Sequence, residues 1–114
     1  MPGALEPPLT PAVFFTLFAL AGGDKHGYAI MRETRELSDG EFEIGPATLY
    51  TTIQRLTQSG WIEEVPGPED GDPRRRYYRI SKPGKSALHH EIGRMEALVR
   101  KTKALRLRPA ESKS

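Results

Sequence analysis

The sequence predicts a mainly α-helical fold with one small β-hairpin, an α+β class, and two observations support this prediction. Apolar residues recur at helical spacing between residues 11 and 58, and again after residue 81. From Gly60 onward the period shortens to about two residues, in two segments separated by a turn rich in proline and glycine. At 114 residues the chain suffices for one small domain with a modest core, which an oligomer would stabilise further.

The first helix is marked by Thr10 and Pro11, because threonine caps helices well and proline suits the first helical position. The helix predicted from there to residue 21 is apolar nearly all round, so we expect it to be buried on more than one side. It is either the spine of the core or also part of a subunit interface, to which we assign Phe14 and Phe18. A ligand pocket lined by these phenylalanines is the alternative.

Two further helices are predicted in close succession. After a break at residues 22–24, one runs from about His26 to Leu37, and we interpret His26 as a structural residue rather than a ligand. A short extended link at residues 41–44 leads to the other, which starts at Pro46 and ends before Gly60. Two helices joined by a short connection that contains glycine fit a helix-turn-helix.

The helix from Pro46 has two dissimilar faces. Leu49, Ile53 and Leu56 form one apolar stripe. The remaining surface carries small, hydroxyl and amide side chains with one cation, a composition suited to entering a groove and offering hydrogen bonds. Its residues are Ala47, Thr48, Tyr50, Thr51, Gln54 and Arg55. Taken alone, the same pattern also fits a surface helix that is merely low in charge, and Tyr50 could instead pack on the edge of the core.

Two predicted strands follow, at residues 61–65 and 74–81, joined by a turn with three prolines and two glycines. The second strand begins with Arg74, Arg75 and Arg76, so these arginines lie where the turn ends, at the extremity of the hairpin. This arrangement is typical of a wing. A disordered basic loop balanced by nearby acidic residues is the alternative.

The last helix is predicted from Lys82 to about residue 107, with Ser81 as its cap. Apolar residues along it, at spacings of four, three and four, form a seam. The seam consists of Leu88, Ile92, Met95 and Val99. A helix this long cannot cover the seam on so small a domain, so we predict a coiled-coil-like pairing with a second copy. Folding back on its own core is the alternative.

The charge of the chain is distributed unevenly. The formal net charge is +2, but residues 1–40 sum to −2, residues 41–73 to −6 and residues 74–114 to +10. Basic charge concentrated in one part of a chain indicates a polyanionic partner. A basic helix with no partner would give the same balance.

Composition and spacing disfavour several other classes of protein. The chain has no cysteine, which excludes disulfide scaffolds, cysteine zinc sites and thiol catalysis. Its apolar run at residues 12–21 is too short to span a bilayer and follows no basic residue, so we expect no signal peptide and a cytoplasmic protein. No catalytic or phosphate-loop motif occurs, and we expect neither an enzyme nor a cofactor. His89 and His90 are adjacent and therefore on different helix faces, which disfavours a metal-sensing alternative.

Several short motifs occur together along the chain. They are His26-Gly27-Tyr28, Gly45-Pro46-Ala47-Thr48-Leu49-Tyr50, Arg55-Leu56, Gly60-Trp61-Ile62 and Arg75-Arg76-Tyr77-Tyr78-Arg79-Ile80-Ser81, followed by Gly84 and Glu91. In this combination, over about residues 9–107, the chain resembles the PadR-like family of bacterial transcriptional regulators, in the short form with a single C-terminal helix. Ser81 stands where the family usually has threonine, and it keeps the capping hydroxyl.

The resemblance implies a winged helix-turn-helix plus a C-terminal dimerisation helix, in a homodimer that binds operator DNA, usually as a repressor. We expect a flexible arm at residues 1–9, the DNA-binding domain at 10–81, the dimerisation helix at 82–107 and a tail at 108–114. Several family members release DNA when a small, often aromatic, molecule binds. Here the last helix has no aromatic residue, so any such effector is of unknown identity. A winged helix that binds proteins instead of DNA is the alternative function.

We assign the helix after Gly45 to the major groove of double-stranded DNA. Gln54 has the amide needed for a paired contact to adenine, and Arg55 could reach guanine or a phosphate. The hydroxyls of Thr48, Tyr50 and Thr51 are expected on phosphates. The three wing arginines are expected on the backbone or in the minor groove. A two-fold dimer predicts half-sites about 10 bp apart, or a multiple of that.

Overall fold

The computed structural model describes residues 8–105, which form four α-helices and a three-stranded antiparallel sheet. In chain order the elements are α1 (Pro11–Ala21), β1 (Lys25–His26), α2 (Gly27–Leu37), α3 (Pro46–Gln58), β2 (Ile62–Val65), β3 (Tyr77–Ile80) and α4 (Lys82–Ala104). The predicted α+β class is confirmed, with α2 and α3 as a helix-turn-helix and the β2–β3 hairpin as its wing. The predicted tail and most of the predicted arm lie outside the described residues.

The helix starts follow from capping. Thr10 Oγ1 accepts the N–H of Val13 at 3.2 Å, and Ser81 Oγ accepts the N–H of Gly84 at 3.2 Å. These hydroxyls satisfy N–H groups that have no partner within the first turn of a helix. At α2, His26 takes the same role through its Nδ1 atom, so this helix begins one residue later than predicted.

The core lies where α1 crosses the other helices and the sheet. Its central residues are Leu17, Leu20, Ile30, Leu49, Ile53, Leu56, Ile62, Ile80 and Leu88. The predicted apolar stripe of α3 is therefore confirmed as its buried face. Burying a leucine or isoleucine stabilises the fold by about 1.5–3 kcal/mol. This packing fixes α3 against α1, α2 and β2, so that its opposite face points outward.

The sheet has the order β1-β3-β2, and its first strand is an element that the sequence did not predict. β1 has only two residues, Lys25 and His26, which pair with Tyr78 and Tyr77. Arg79 supports this edge, since its Nη2 atom lies 2.8 Å from an Asp24 carboxylate oxygen. β3 is shorter than predicted because it begins at Tyr77, so the three arginines lie in the wing loop before the strand.

The helix α4 ends at Ala104, three residues before the predicted end, and Leu105 is its C-cap. Leu88, predicted to belong to the dimer seam, is only 7% exposed because the chain's own core covers it. Its place in the seam is therefore corrected. Ile92 is half-buried against the same core, whereas Met95 is 37% and Val99 55% exposed. The uncovered part of the predicted seam thus starts after Ile92.

Candidate nucleic-acid interface

The outer face of α3 is open to solvent over its whole length. All six residues assigned to it from the sequence are exposed: Ala47, Thr48, Tyr50, Thr51, Gln54 and Arg55. The helix contains no acidic residue. Tyr50 is 64% exposed, so its ring stands out from the helix rather than packing on the edge of the core. The face presents an amide, hydroxyls and one guanidinium, which are groups that can bond base edges and phosphates.

A shallow groove of about 400 Å³ runs beside this face. Thr10 and Val13 line it from the start of α1, and Thr48, Thr51 and Arg55 line it from α3. Thr51 keeps an exposed hydroxyl, and the Arg55 guanidinium forms no ion pair with any residue from 8 to 105. The groove therefore extends the polar surface of α3 toward α1.

The wing loop, residues 66–76, is built from turns and a close ring contact. The N–H of Gly71 donates to the Pro68 carbonyl at 3.1 Å, and the N–H of Arg75 donates to the Asp72 carbonyl at 3.0 Å. Gly67 lies on the Tyr77 ring, where a β-carbon would come within 2.6 Å of a ring atom. These contacts give the loop a defined path, so the arginines are presented on an ordered scaffold.

The three wing arginines, grouped together by the sequence, have three different environments. Arg74 Nε lies 3.3 Å from the Asp72 carboxylate, and Arg76 Nε lies 3.9 Å from Glu64. The backbone N–H of Arg74, and then its side chain, hold the pKa of Asp72 below its usual range. Arg75 instead points at an imidazole: its Nη1 atom lies 3.1 Å from His26 Nε2. Within residues 8–105, Arg75 is the wing arginine with no carboxylate partner.

His26 connects the wing to the helix-turn-helix. Its Nδ1 atom accepts the N–H of Ala29 at 3.3 Å, and its ring meets Tyr77 edge-on, with centroids 5.3 Å apart. Burial, followed by the charges of Arg75 and Arg32, lowers the pKa of His26 below its ordinary value. The prediction of a structural role is confirmed by the cap. The contact with Arg75 was missed, since it joins residues 49 positions apart.

The outer face of α2 carries a second group that the sequence reasoning missed. Tyr28 is 61% exposed, and the Arg32 guanidinium lies 5.7 Å from the centre of its ring. The spacing of four residues between tyrosine and arginine places both on one helix face, which is the signal that could have revealed the pair. Arg35, one turn further along, is paired with Glu43 at 3.5 Å.

An apolar surface lies away from α3, on α4 and α1. Met95, Leu98 and Val99 are exposed on α4. On α1, which packs against α4, the rings of Phe14 and Phe18 are in edge-to-face contact with centroids 5.6 Å apart. Phe18 is exposed and Phe14 is half-buried. Of the residues predicted for a dimer interface, Met95, Val99 and Phe18 are thus exposed, Ile92 and Phe14 are half-buried, and Leu88 is buried.

The part of the chain from residue 8 to residue 105 contains no group of three or more histidine, cysteine or acidic side chains arranged to hold a metal ion. His89 and His90 are exposed on α4. In the same span, no helix combines the length and apolar character needed to cross a membrane.

Comparison with known proteins gives a family and a fold. The model of the "Transcriptional regulator PadR-like family" matches residues 17–90. The transcriptional regulator Rv3488 of Mycobacterium tuberculosis is 36% identical over 67 residues, 59% of this chain and 62% of that protein. This chain spans about 60% of the length of the curated relatives it matches.

Two solved structures share the fold. A transcriptional regulator from Clostridium thermocellum, Cth-833, superposes with a TM-score of 0.67 at 30% identity, covering 84% of this chain and 92% of that one. Bacillus subtilis PadR in complex with operator DNA gives a TM-score of 0.61 at 21% identity, covering 70% of this chain and 45% of that chain. At that lower identity the likeness concerns the fold alone.

Proposed function

Because the chain belongs to the PadR-like family of transcriptional regulators, we propose that it is a sequence-specific DNA-binding repressor that acts as a homodimer on a pseudo-palindromic operator. Regulators, not enzymes, make up this family. The observation that carries the proposal is the outer face of α3, which is exposed throughout and free of acidic residues. A face of this composition, on the second helix of a helix-turn-helix, fits the major groove.

In the proposed complex, the outer face of α3 reads bases. Gln54 pairs its amide with adenine, and Arg55 reaches guanine or a phosphate from the groove beside α1. The hydroxyls of Thr48, Tyr50 and Thr51 bond phosphates and set the register of the helix. The fold that this chain shares with Bacillus subtilis PadR, a protein solved with operator DNA, supports this orientation.

The wing adds contacts that do not depend on sequence. Arg74, Arg75 and Arg76 meet the DNA backbone, where each phosphate contact neutralises one charge and releases condensed counterions. Affinity therefore falls steeply with salt. Glu64 and Asp72, which pair with Arg76 and Arg74 in the free protein, are replaced by phosphates on binding.

The dimer forms through α4. Met95, Leu98 and Val99 lose their exposed apolar surface in a seam between two copies, which places the two α3 helices for two half-sites. Phe14 and Phe18 add an aromatic surface on α1 next to this seam. An aromatic effector would bind there, between the copies, and would lower the affinity for DNA.

The test is a selection from a random library of duplexes with the purified full chain, followed by footprinting on the promoter of its own gene. A DNA-reading dimer enriches a pseudo-palindrome and protects it as a single footprint. Failure to enrich any sequence, together with salt-insensitive binding, would contradict the proposal and favour a protein-interaction module.

A further inference from the structure

A group of hydrogen-bond donors with no facing carboxylate lies where the wing meets α2. Arg75 Nη1 is 3.1 Å from His26 Nε2, and the charge of Arg32 is close enough to lower the pKa of His26. The ion pairs formed among residues 8–105 use Arg35, Arg74, Arg76, Arg79 and Arg94. Neither Arg75 nor Arg32 is among them, so positive charge from two elements converges there with no carboxylate within ion-pair distance, although the charge of Arg75 also lowers the pKa of Asp72.

The hydrogen bonds of His26 define where its proton lies. Nδ1 accepts the N–H of Ala29, so this nitrogen carries no proton. The ring is neutral near neutral pH because its pKa is lowered, and a neutral imidazole carries a single proton, here on Nε2. Nε2–H therefore faces the guanidinium of Arg75, which has only donors. Two donors 3.1 Å apart do not satisfy each other, and because the contact is exposed both can bind an acceptor from outside the protein.

We infer that His26 and Arg75 bind one DNA backbone phosphate together, with Arg32 adding positive charge, and that this clamp joins the wing to α2 on the operator. A phosphate fits because its non-bridging oxygens accept hydrogen bonds from several donors at once and supply the negative charge with which Arg75 and Arg32 are not paired in the free protein. The inference rests on the proposed function, since the phosphate belongs to the DNA that α3 reads. It assigns a binding role to His26 in addition to its role as the cap of α2.

Two substitutions separate these roles of His26. His26→Ser keeps a side-chain oxygen that can cap α2 but removes the Nε2 donor, whereas His26→Ala removes both. Equal melting temperatures for His26→Ser and the wild type will show that the cap survives. Arg75→Ala removes the other half of the clamp, and Arg74→Ala provides a neighbouring wing arginine that is paired with Asp72.

The affinities are measured by fluorescence anisotropy on the duplex obtained by selection. We expect His26→Ser and Arg75→Ala each to weaken binding about tenfold, because each removes one hydrogen bond to a charged group. The double variant should bind little worse than either single variant, since both act on one phosphate. By contrast, His26→Ser combined with Arg74→Ala should lose the product of the two single effects. Unchanged affinity of His26→Ser, or multiplicative loss with Arg75→Ala, would overturn the clamp.

A methylphosphonate scan locates the phosphate. Replacing one backbone phosphate per half-site by an uncharged methylphosphonate should weaken the wild type, and His26→Ser should lose nothing further at that position. If no position behaves in this way while the wild type still binds the duplex, the clamp is wrong and the proposed function stands.

A measurement without DNA separates the two claims further. Inorganic phosphate should shift the side-chain nitrogen resonances of His26 in the wild type, with no shift in Arg75→Ala. This result supports the clamp even if the selection enriches no duplex, an outcome that would contradict the proposed function alone. Resonances of His26 that respond neither to phosphate nor to DNA would overturn the clamp.

Discussion

Gly84 in the first turn of α4 lies directly against the backbone of Trp61, so that a β-carbon at position 84 would overlap the Trp61 carbonyl oxygen and come within 2.9 Å of an Ile80 side-chain atom. The same carbonyl accepts the N–H of Ser81 at 3.0 Å. Ser81 Oγ also donates to the carbonyl of Gly60, just after α3. The start of α4 is therefore fastened to the turn that ends α3.

Gly84→Ala should destabilise the fold strongly, because backbone rather than a flexible side chain occupies the space of the added methyl group. We expect a loss of about 3 kcal/mol in the free energy of unfolding, measured by urea denaturation at one protein concentration. Gly93→Ala is the matched control, since position 93 is helical and has nothing within 4 Å of its β-carbon. It should stabilise the helix by about 0.5–1 kcal/mol. Equal effects of both substitutions would contradict this account.

Gln54→Ala should change sequence preference rather than overall affinity. Loss of the amide costs about 1–3 kcal/mol at one base pair and leaves the other positions unaltered. Repeating the selection with the variant gives the preference at each position. Gln58→Ala removes the same group from the last residue of α3, farther from the start of the helix, and should leave the profile as it is. If Gln54→Ala and the wild type give the same sequence preference, the proposal that α3 reads bases in the major groove is wrong.

Met95→Asp should convert the proposed dimer to monomers, because it places a charge in the middle of the uncovered apolar patch of α4. Sedimentation velocity measures the mass directly. Arg100→Asp, about 140° around the helix axis from Met95, should keep the mass of the proposed dimer. Dimers that persist in Met95→Asp would mean that α4 does not form the seam.

Because the pKa of His26 is lowered in the folded protein, the free energy of unfolding should fall as the pH drops below about 6.5, the ordinary pKa of histidine. Its pKa is lowered in the folded state, so the unfolded chain binds the proton more readily between the two values. The contribution of His26 is fully present above that range and is lost as the pH falls toward the folded-state value. Urea midpoints at several pH values measure the slope, and His26→Ser should reduce it. An identical slope in the variant would show that other groups cause it.

Glu91 should support the fold from inside α4. Its carboxylate is buried and lies 2.7 Å from Arg94 Nη2. Mainly through its hydrogen bond, Arg94 lowers the pKa of Glu91 below the ordinary value of 4.5. The stabilisation by this pair is therefore fully present above pH 4.5 and is lost as the pH falls toward the folded-state pKa. Glu91→Ala should cost about 1–3 kcal/mol in unfolding free energy at pH 7. A stability that stays unchanged would mean that the Glu91–Arg94 pair does not support the fold.

Local chemistry explains which elements the sequence could predict. The bounds of α1 and the start of α3 were predictable because Thr10, Pro11 and Pro46 act within one helical turn. β1 was missed because two residues carry no periodic pattern, and its pairing partners lie more than fifty positions away. Leu88 was assigned to the seam because spacing cannot tell a residue that faces its own core from one that faces a second copy.

In the candidate site, too, some features could be predicted from the sequence and others could not. Exposure of the α3 face, including Tyr50, followed from helical periodicity and the buried stripe opposite. The separate environments of the three wing arginines depend on which carboxylate or imidazole the folded chain brings near each guanidinium. The sequence does not show which group lies near each guanidinium, so it cannot distinguish Arg75, next to His26, from Arg74, paired with Asp72.

Because α4 is fastened to α3 at Ser81, a rotation of α4 also moves α3. With 23 residues the helix is roughly 35 Å long, and its first turn moves with α3 because Ser81 and Gly84 hold it to the turn after that helix. In a dimer paired through Met95 and Val99, the seam lies about 22 Å along α4 from its first turn, so a tilt of about 10° at the seam would displace that turn and the attached α3 by roughly 4 Å. That displacement is similar to the rise of one base pair, about 3.4 Å, so a slight change in the angle between the two α4 helices would be enough to move both α3 helices out of register with a DNA site.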